Sequence, residues 1–386
     1  MNREDRGRLE YRALIGADPD VSQAELRTRA PHLHETLLAD AYGGPLARAE
    51  LGRADRELAT LAILATLGGA DRRLASHVRA ALHNGMAASE LLALAEHLSV
   101  YAGFPRALNA ADVIDEVLTA QGLPRPAPLQ RVRLRDHTTV VAQRGESGPP
   151  VLLLHALGLD WRMWEEVMDL LGPGRRVYAY DIRGHGTAAG SPSPFTMADT
   201  AEDLIGVMDA LGLEQAHVVG LSYGGGIAQT AAVAHPRRFA SLALLATTDY
   251  PFEAFEGRAR SGEVDGMAAQ VVPSLTRWFT APALALNAWN VRYARERVLR
   301  GQAVDWASAW RAFIGLDVQG RLADFDAPTL VLAGEVDTSC TPEIMRGIAD
   351  RIPGSAFRVL AGTPHMQSLE QPALVAGALE EFLPRG

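Results

Sequence analysis

Apolar residues in the first third of the chain recur at helical spacing. Leu74, Val78 and Leu82 lie four residues apart, which is typical of an amphipathic α-helix. Residues 58–67 are apolar nearly all round, which predicts a helix buried on every side. No part of this region alternates apolar and polar residues as a half-buried strand does. We therefore predict an all-α N-terminal domain over residues 1–121.

A proline-rich stretch follows this region. Pro124, Pro126 and Pro128 fix φ and favour an extended backbone, which predicts a short, semi-rigid linker over residues 122–129. From residue 130 onward the spacing of apolar residues changes. Two alternating segments flank Asp136 and His137, which indicates a β-hairpin at the start of a second domain.

Residues 130–386 alternate short apolar runs with helical patterns. Such runs are typical of strands buried on both faces, and their alternation with helices indicates a mostly parallel sheet. The predicted strands cover residues 151–154, 177–180, 218–221, 242–246 and 329–333. Residues 250–325 interrupt this pattern with a helical, tryptophan-containing insertion, which we expect to form a lid over the carboxyl edge of the sheet. The second domain is therefore of the α/β class.

Composition narrows the functions open to the chain. The formal net charge is −9, which argues against nucleic acid or an anionic membrane as a partner. All 37 basic residues are arginine, so a lysine Schiff base is excluded. The single cysteine, Cys340, excludes an intrachain disulfide and a cysteine-rich metal site. Neither a signal sequence nor a membrane-spanning run is evident, so we expect a cytoplasmic protein.

The segment Gly220-Leu221-Ser222-Tyr223-Gly224 carries the strongest chemical signal. It follows a predicted buried strand and precedes a helix of small residues, the context that a G-x-S-x-G nucleophile elbow requires. Flanking glycines allow the close strand–helix approach that lifts a serine hydroxyl clear of the sheet. We predict Ser222 as a nucleophile.

A serine nucleophile needs a histidine base and a carboxylate that orients the histidine. His365 and Asp337 follow predicted strands in the chain order Ser, Asp, His, and Glu335 is a weaker candidate for the acid. The backbone N–H groups of Tyr223 and Leu157 are the predicted oxyanion-hole donors. Ser222, Asp337 and His365 are thus the predicted catalytic triad.

Several segments of residues 130–386 resemble the 3-oxoadipate enol-lactonase branch of the α/β-hydrolase fold. They are His155-Ala-Leu-Gly, Tyr180-Asp-x-Arg-Gly-His-Gly, the elbow, Arg277-Trp-Phe-Thr, Gly334-x-x-Asp and His365 with Glu370-Gln-Pro. The lid segment at Arg277 points to this branch in particular. The resemblance implies a lactone or carboxylate substrate, and we expect Trp278 to contact it.

Residues 40–118 resemble the 4-carboxymuconolactone decarboxylase family. The resemblance rests on Leu74-Ala-Ser-His-Val-Arg, Asn84-Gly and His97-Leu-x-Val-Tyr-Ala-Gly. It implies the all-helical fold that this family shares with AhpD-type peroxidase partners, no cofactor, and trimers or hexamers built by this domain. The thiol chemistry of the peroxidase partners is excluded, since this half has no cysteine.

On this resemblance, His77 and His97 are the candidate acids of the helical domain. Arg56 and Arg79 are candidate carboxylate forks, and Tyr101 could orient His97 or donate a proton. Arg73 departs from the family pattern, which carries a glutamate four residues before the His77 equivalent, so the local charge is inverted.

Three functions follow from the sequence. The first is a bifunctional enzyme that decarboxylates 4-carboxymuconolactone and hydrolyses the resulting 3-oxoadipate enol-lactone. The second is an esterase or lactonase of another substrate, with a helical domain that serves only oligomerisation. The third is a hydrolase that cleaves a carbon–carbon bond in a dienone acid.

Overall fold

The chain is described by a computed structural model over residues 1–385 and divides into two compact units, Met1–Pro126 and a second that begins at Ala127. All regular structure in the first unit is helical, which confirms the predicted all-α domain. A π-helical segment, Leu37–Tyr42, follows the fourth helix. The helices are α1 (Arg3–Ile15), α2 (Pro19–Ser22), α3 (Ala24–Arg29), α4 (Pro31–Thr36), α5 (Arg53–Leu67), α6 (Asp71–His83), α7 (Ala88–Tyr101) and α8 (Phe104–Ala120).

The core of the helical unit lies among α5, α6, α7 and α8. Leu61, Val78 and Leu91 are buried there. In α5 only Glu57, Leu61 and Ala65 are buried, at a spacing of four residues, while Ile63 and Leu67 remain 60% and 65% exposed. The prediction that this helix is buried on every side is therefore wrong. Residues 58–67 are apolar nearly all round, but within one chain their neighbours cover only one face of the helix.

The second unit is built on one eight-stranded sheet with the order β1-β2-β4-β3-β5-β6-β7-β8. The first two strands form the predicted hairpin; β2 also pairs antiparallel with β4, and all remaining pairs are parallel. The strands are β1 (Leu129–Arg133), β2 (Thr138–Arg144), β3 (Pro150–Leu154), β4 (Arg176–Tyr180), β5 (Ala216–Leu221), β6 (Phe239–Leu245), β7 (Thr329–Gly334) and β8 (Ala356–Leu360). The five predicted central strands are confirmed.

Helices cover this sheet because its central strands are apolar on both faces. Every residue of β5 and β7 is buried. The helices outside the insertion are α9 (Glu165–Leu171), α10 (Met197–Ala210), α11 (Tyr223–Ala234), α17 (Pro342–Arg351), α18 (Gln367–Glu370) and α19 (Pro372–Phe382). This arrangement places the loops after β3, β5, β7 and β8 at one edge of the sheet.

The predicted insertion between β6 and β7 is helical. It comprises α12 (Ala254–Asp265), α13 (Met267–Trp278), α14 (Ala281–Leu286), α15 (Trp289–Arg300) and α16 (Ala303–Ile314). Trp278 and Trp306 of this insertion lie against Gly158, where an added Cβ would approach their rings to 3.3 and 2.8 Å. The lid therefore packs on the loop after β3. Across residues 1–385, no helix has both the length and the apolar character needed to cross a bilayer.

Candidate active site

Ser222 lies in a sharp turn between β5 and α11. Its φ of 55° and ψ of −114° fall in a region that side chains rarely adopt. The flanking glycines are required by close contacts, because a Cβ on Gly220 would lie 2.4 Å from the Gly224 carbonyl oxygen. A Cβ on Gly224 would lie equally close to the carbonyl oxygen of Leu154. The sequence therefore folds here as the elbow requires.

The three predicted triad residues form one line of hydrogen bonds. Nε2 of His365 lies 3.1 Å from Oγ of Ser222. Nδ1 of the same ring lies 2.8 Å from Oδ2 of Asp337. Both distances suit a base that takes the serine proton while the carboxylate fixes its orientation.

Asp337 is held in the ionised form that this arrangement needs. Burial alone would raise the pKa of its carboxyl group, but the charge and hydrogen bond of His365 and two backbone donors outweigh burial and lower that pKa below its ordinary value. The donors are the N–H groups of Ser339 and Cys340, at 2.7 and 3.0 Å from Oδ1. Glu335 instead accepts the Gly362 N–H at 2.7 Å, so it serves the turn rather than His365.

Two backbone N–H groups beside Ser222 are available for a ligand. Within residues 1–385, the N–H groups of Leu157 and Tyr223 donate to no protein acceptor. The neighbouring Ala156 N–H, in contrast, donates to Sδ of Met163 at 3.1 Å. Leu157 also lines the pocket that contains Ser222. These two donors stand where an oxyanion hole is predicted.

His155 supports the loop that carries Leu157. Its Nε2 accepts the Ile182 N–H at 2.8 Å, and its Nδ1 lies 2.9 Å from the Ala156 carbonyl oxygen. Complete burial, together with the neighbouring His185, lowers the pKa of His155 to about 3, so the ring is neutral near pH 7. His155 therefore has a structural role in this loop.

The pocket over Ser222 encloses about 420 Å³, including its opening to solvent, and is mostly apolar. Trp278, the predicted substrate contact, forms part of its wall. Two arginines, Arg258 and Arg277, also line it, and neither was among the predicted site residues. Its lining residues are Leu157, Ser222, Thr248, Phe252, Phe255, Arg258, Arg277, Trp278, Trp310, Phe313, Ser339, Cys340, His365 and Met366.

The lid is tied directly to the loop that carries His365. The Met366 N–H donates to the Trp278 carbonyl oxygen at 3.0 Å. Two residues further along the lid, the Thr280 N–H donates to Oε2 of Glu370 at 2.9 Å. The Arg277-Trp-Phe-Thr segment and the His365 loop are thus fixed to each other.

Two groups of potential metal ligands occur in this unit, and one of them overlaps the triad. Asp337, Cys340 and His365 bring one ligand atom each within 4.8 Å of one another. However, Asp337 and His365 are engaged with each other, and burial raises the pKa of the Cys340 thiol, which therefore stays protonated. The donor set does not suit a metal ion.

In the helical unit, His77 of α6 pairs with Glu57 of α5. Nδ1 of His77 lies 2.8 Å from Oε2 of Glu57. The Glu57 side chain is fully buried, and its other oxygen, Oε1, has no hydrogen-bond partner within the described residues. A buried carboxylate that orients a partly exposed histidine is an arrangement suited to proton transfer.

Glu57 was not among the predicted site residues. A signal was present, because Glu57 lies four residues before Leu61 on the buried stripe of α5, where a carboxylate is rare unless it is paired. Arg73 occupies the position where the family pattern has a glutamate, and it is exposed. The acid beside His77 thus comes from the preceding helix instead of the preceding turn.

The other predicted residues of this unit lie apart from that pair. The rings of His97 and Tyr101 contact each other on α7, with centroids 5.0 Å apart, and both are exposed. In the part of the chain that the structure describes, no hydrogen bond joins His97 to His77. Arg79 is exposed, and the one hydrogen bond that its side chain makes among residues 1–385 goes to Oγ of Ser76, at 3.4 Å.

Arg56 is engaged with the backbone. Its guanidinium donates to the carbonyl oxygens of Pro45, Arg48 and Leu51 at 2.8 to 3.2 Å. This use differs from the predicted carboxylate fork, because the donors that such a fork needs are occupied by the loop before α5. Arg56 positions that loop in this structure.

Two family models match the chain, one in each unit. The carboxymuconolactone decarboxylase family matches residues 35–116. The alpha/beta hydrolase fold family matches residues 149–372, which is more than half of the chain and contains the whole triad.

Individual relatives match the hydrolase unit. The chain is 30% identical to 3-oxoadipate enol-lactonase 1 of Acinetobacter baylyi, over 59% of this chain and 85% of that protein. It is similar to the crystal structure of the enol-lactonase from Burkholderia xenovorans LB400, with a TM-score of 0.63 and 27% identity over 66% of this chain and 99% of that one. A thermophilic esterase from Thermogutta terrifontis, solved with malate bound, gives a TM-score of 0.61 and 30% identity over 65% and 97% of the two chains. The chain belongs to the α/β hydrolase family, and ahead of its hydrolase domain it carries a domain of the carboxymuconolactone decarboxylase family.

Proposed function

We propose that the hydrolase unit opens 3-oxoadipate enol-lactone by Ser-His-Asp catalysis and that the helical unit forms this lactone by decarboxylating 4-carboxymuconolactone. The observation that carries the proposal is the hydrogen-bonded line from Asp337 through His365 to Ser222, beside two unoccupied N–H donors. The similarity to two enol-lactonases supports the substrate. The helical unit's family supports the preceding step.

The ring-opening step follows from the positions of these groups. Oγ of Ser222 attacks the lactone carbonyl carbon while Nε2 of His365 takes its proton. The N–H groups of Leu157 and Tyr223 stabilise the oxyanion, each donor contributing roughly 10²–10³ in rate. The ring C–O bond then breaks, and His365 returns the proton to the departing enolate, which becomes a ketone. Water, activated by His365, hydrolyses the acyl-serine and releases 3-oxoadipate.

The decarboxylation needs a proton donor and no cofactor. The carboxylate on the γ carbon of 4-carboxymuconolactone leaves as carbon dioxide, and its electron pair moves through the C=C bond towards the lactone carbonyl. The α carbon then takes a proton, which gives the enol-lactone. We assign that proton to His77, whose ring is held by the buried Glu57 carboxylate. His97 and Tyr101 remain proposed contributors from α7.

One experiment tests both steps together. The protein is incubated with 4-carboxymuconolactone while carbon dioxide, the enol-lactone and 3-oxoadipate are measured. The wild type should release equal amounts of carbon dioxide and 3-oxoadipate. Ser222→Ala should release carbon dioxide at the wild-type rate and accumulate the enol-lactone. Its rate of enzymatic ring opening should fall by about 10⁵-fold.

Ser261→Ala is the matched control, because Ser261 lies on α12 but does not line the pocket. It should behave as the wild type does. Wild-type lactone hydrolysis in Ser222→Ala would contradict the triad. Absence of carbon dioxide release from the wild type would contradict the role of the helical unit and leave the hydrolase assignment standing.

A second function is favoured by the surface of the helical unit. His97 and Tyr101 are exposed, Arg56 is bound to a loop, and large apolar side chains lie at the surface of α7 and α8. These observations suit a helical domain that only assembles copies of an esterase or lactonase with another substrate. Ring opening of the enol-lactone without any decarboxylation would favour this function.

A further inference from the structure

The hydrolase pocket contains two arginines that lack an acidic partner. Arg258 comes from α12 and Arg277 from α13, and both line the same cavity as Ser222 and His365. Among residues 1–385, no aspartate or glutamate contributes to the pKa shift of either guanidinium, and no acidic residue lines the pocket. Many other arginines of this chain pair with carboxylates, so these two stand out.

The contacts of both arginines leave hydrogen-bond donors unused. Arg258 lies over the ring of Trp310, with its central carbon 4.9 Å from the ring centroid, and beside Phe255. A cation–π contact uses the flat face of a guanidinium and leaves the N–H groups at its edge for other partners. Within the described part of the chain, the Arg277 guanidinium donates only to Oγ of Ser274, at 3.4 Å.

Electrostatics make the unoccupied pair unfavourable. Burial lowers the pKa of Arg258, and burial together with the charge of Arg258 lowers the pKa of Arg277 to about 10. Arginine stays protonated near pH 7, so both side chains are cationic in a partly desolvated pocket and repel each other. A bound anion would relieve the repulsion and satisfy the unused donors.

Arg277 is held in a fixed position relative to the catalytic histidine. Arg277 immediately precedes Trp278, whose carbonyl oxygen accepts the Met366 N–H, and Met366 follows His365. A group bound by Arg277 is consequently placed by the same short backbone bridge that fixes the base. Such a bridge suits a site that must hold one end of a small molecule while Ser222 attacks the other.

We propose that Arg258 and Arg277 together bind a carboxylate of the substrate and select anionic lactones and esters, whose acid group lies remote from the carbonyl that Ser222 attacks. This inference rests on the proposed lactonase function and adds the means by which that site chooses its substrates. Arginine is suited to the task because its planar fork binds a carboxylate through two parallel hydrogen bonds.

The test compares one lactone in two charge states. Wild type, Arg258→Met and Arg277→Met are assayed with the enol-lactone and with its neutral analogue, in which the side-chain carboxylate is a primary amide. Each variant should lose about 10²–10³ in kcat/KM on the anionic lactone and change by less than about threefold on the amide. Arg258→Lys and Arg277→Lys should recover part of the loss, since lysine restores the charge without the fork.

Arg260→Met is the matched control, because Arg260 is an exposed arginine on the same helix, α12. It should retain the full preference for the anionic lactone. Equal losses on both lactones would overturn the proposal, because they would show that the arginines serve the lid rather than recognise charge. Unchanged activity of both methionine variants on the anionic lactone would overturn it as well.

A binding measurement separates this inference from the proposed function. Adipate, a dicarboxylate that the enzyme cannot hydrolyse, is titrated calorimetrically into wild type and both methionine variants. Binding that weakens at least tenfold in the variants supports the arginine site, even if the wild type fails to open the enol-lactone. Adipate binding of equal strength in all three proteins overturns the arginine site, whatever the lactonase assay gives.

Discussion

Ser222 is held in a strained backbone conformation by contacts on both sides of the turn. A non-glycine residue in such a region costs roughly 1–3 kcal/mol and persists only where its surroundings fix it. Here the Ser222 N–H donates to the Leu245 carbonyl oxygen at 2.9 Å, and the Ser222 carbonyl oxygen accepts the Thr247 hydroxyl at 2.7 Å. The strain therefore belongs to the catalytic geometry, because it lifts Oγ towards His365.

Glu57 is the residue on which the helical unit's chemistry is most directly tested. Glu57→Gln preserves the shape of the side chain but removes the negative charge beside His77. We expect it to lower the rate of carbon dioxide release from 4-carboxymuconolactone by about 10²-fold, since the charge that orients and stabilises the protonated ring is lost. Hydrolysis of the enol-lactone should be unchanged.

The control for Glu57 is Glu96→Gln, which removes an exposed carboxylate from α7. It should leave both rates unchanged. Decarboxylation at the wild-type rate in Glu57→Gln, measured alongside a His77→Ala variant that has lost it, would show that His77 acts without the carboxylate.

The loop after β3 depends on a histidine that must stay neutral. His155 binds the backbone at Ile182 and Ala156, and its pKa of about 3 lies well below the ordinary value of 6.5. At a pH between these two pKa values, His155 is protonated in the unfolded chain and neutral in the folded protein. The contribution of His155 to stability is therefore complete above about pH 6.5 and is lost progressively as the pH falls towards 3.

This effect is measurable in the hydrolase unit alone, because all six tryptophans lie after residue 126. Urea unfolding followed by tryptophan fluorescence should show stability falling below pH 6.5, with His155 contributing up to about 1.4 kcal/mol per pH unit. His155→Gln keeps one donor and one acceptor but cannot titrate. The slope of its stability against pH should therefore be smaller, by the amount that one bound proton contributes. His235→Gln, a control at a half-buried histidine that bonds Glu202 instead of this loop, should retain the wild-type slope. An unchanged slope in His155→Gln would contradict the assignment.

Elements formed by local pattern were predictable from the sequence. The five central strands, the hairpin and the helical lid follow from apolar periodicity, and the elbow follows from glycines around Ser222. Pairings between elements were not predictable. Glu57 meets His77 only because α5 packs on α6, and Arg258 joins Arg277 only because α12 and α13 approach one pocket. The predicted burial of α5 was also wrong, because periodicity shows how apolar a helix face is and not which elements cover it.

At the scale of the whole molecule, the helical unit leaves a large apolar surface uncovered. We call this the α5–α8 face; its residues are Ile63, Leu67, Val100, Tyr101, Phe104 and Leu108, all at least 60% exposed. The ends of α5 and α8 are neighbours, because a Cβ on Gly68 would collide with the Arg106 guanidinium. An apolar surface of this kind marks an interaction site. The family resemblance implies trimers or hexamers, so we expect other copies of this chain to cover it.

Light scattering tests this assembly against the chain mass of 41.4 kDa. The wild type should have three or six times that mass. The double variant Phe104→Asp with Leu108→Asp should have a mass closer to that of a single chain, because a charge buried at an interface without a partner is unfavourable. Val264→Asp, which alters an equally exposed apolar residue on α12, should leave the mass unchanged. A monomeric wild type would contradict the expectation.

The same variants reveal whether assembly serves catalysis. Tyr101 belongs to the α5–α8 face and contacts His97, so an interface there would enclose the second candidate acid of the helical unit. If neighbouring copies complete the decarboxylation site, Phe104→Asp with Leu108→Asp should stop releasing carbon dioxide when it dissociates. It should still hydrolyse the enol-lactone, because the triad lies within one chain. A monomer that decarboxylates at the wild-type rate would show that Glu57 and His77 suffice without a neighbouring copy.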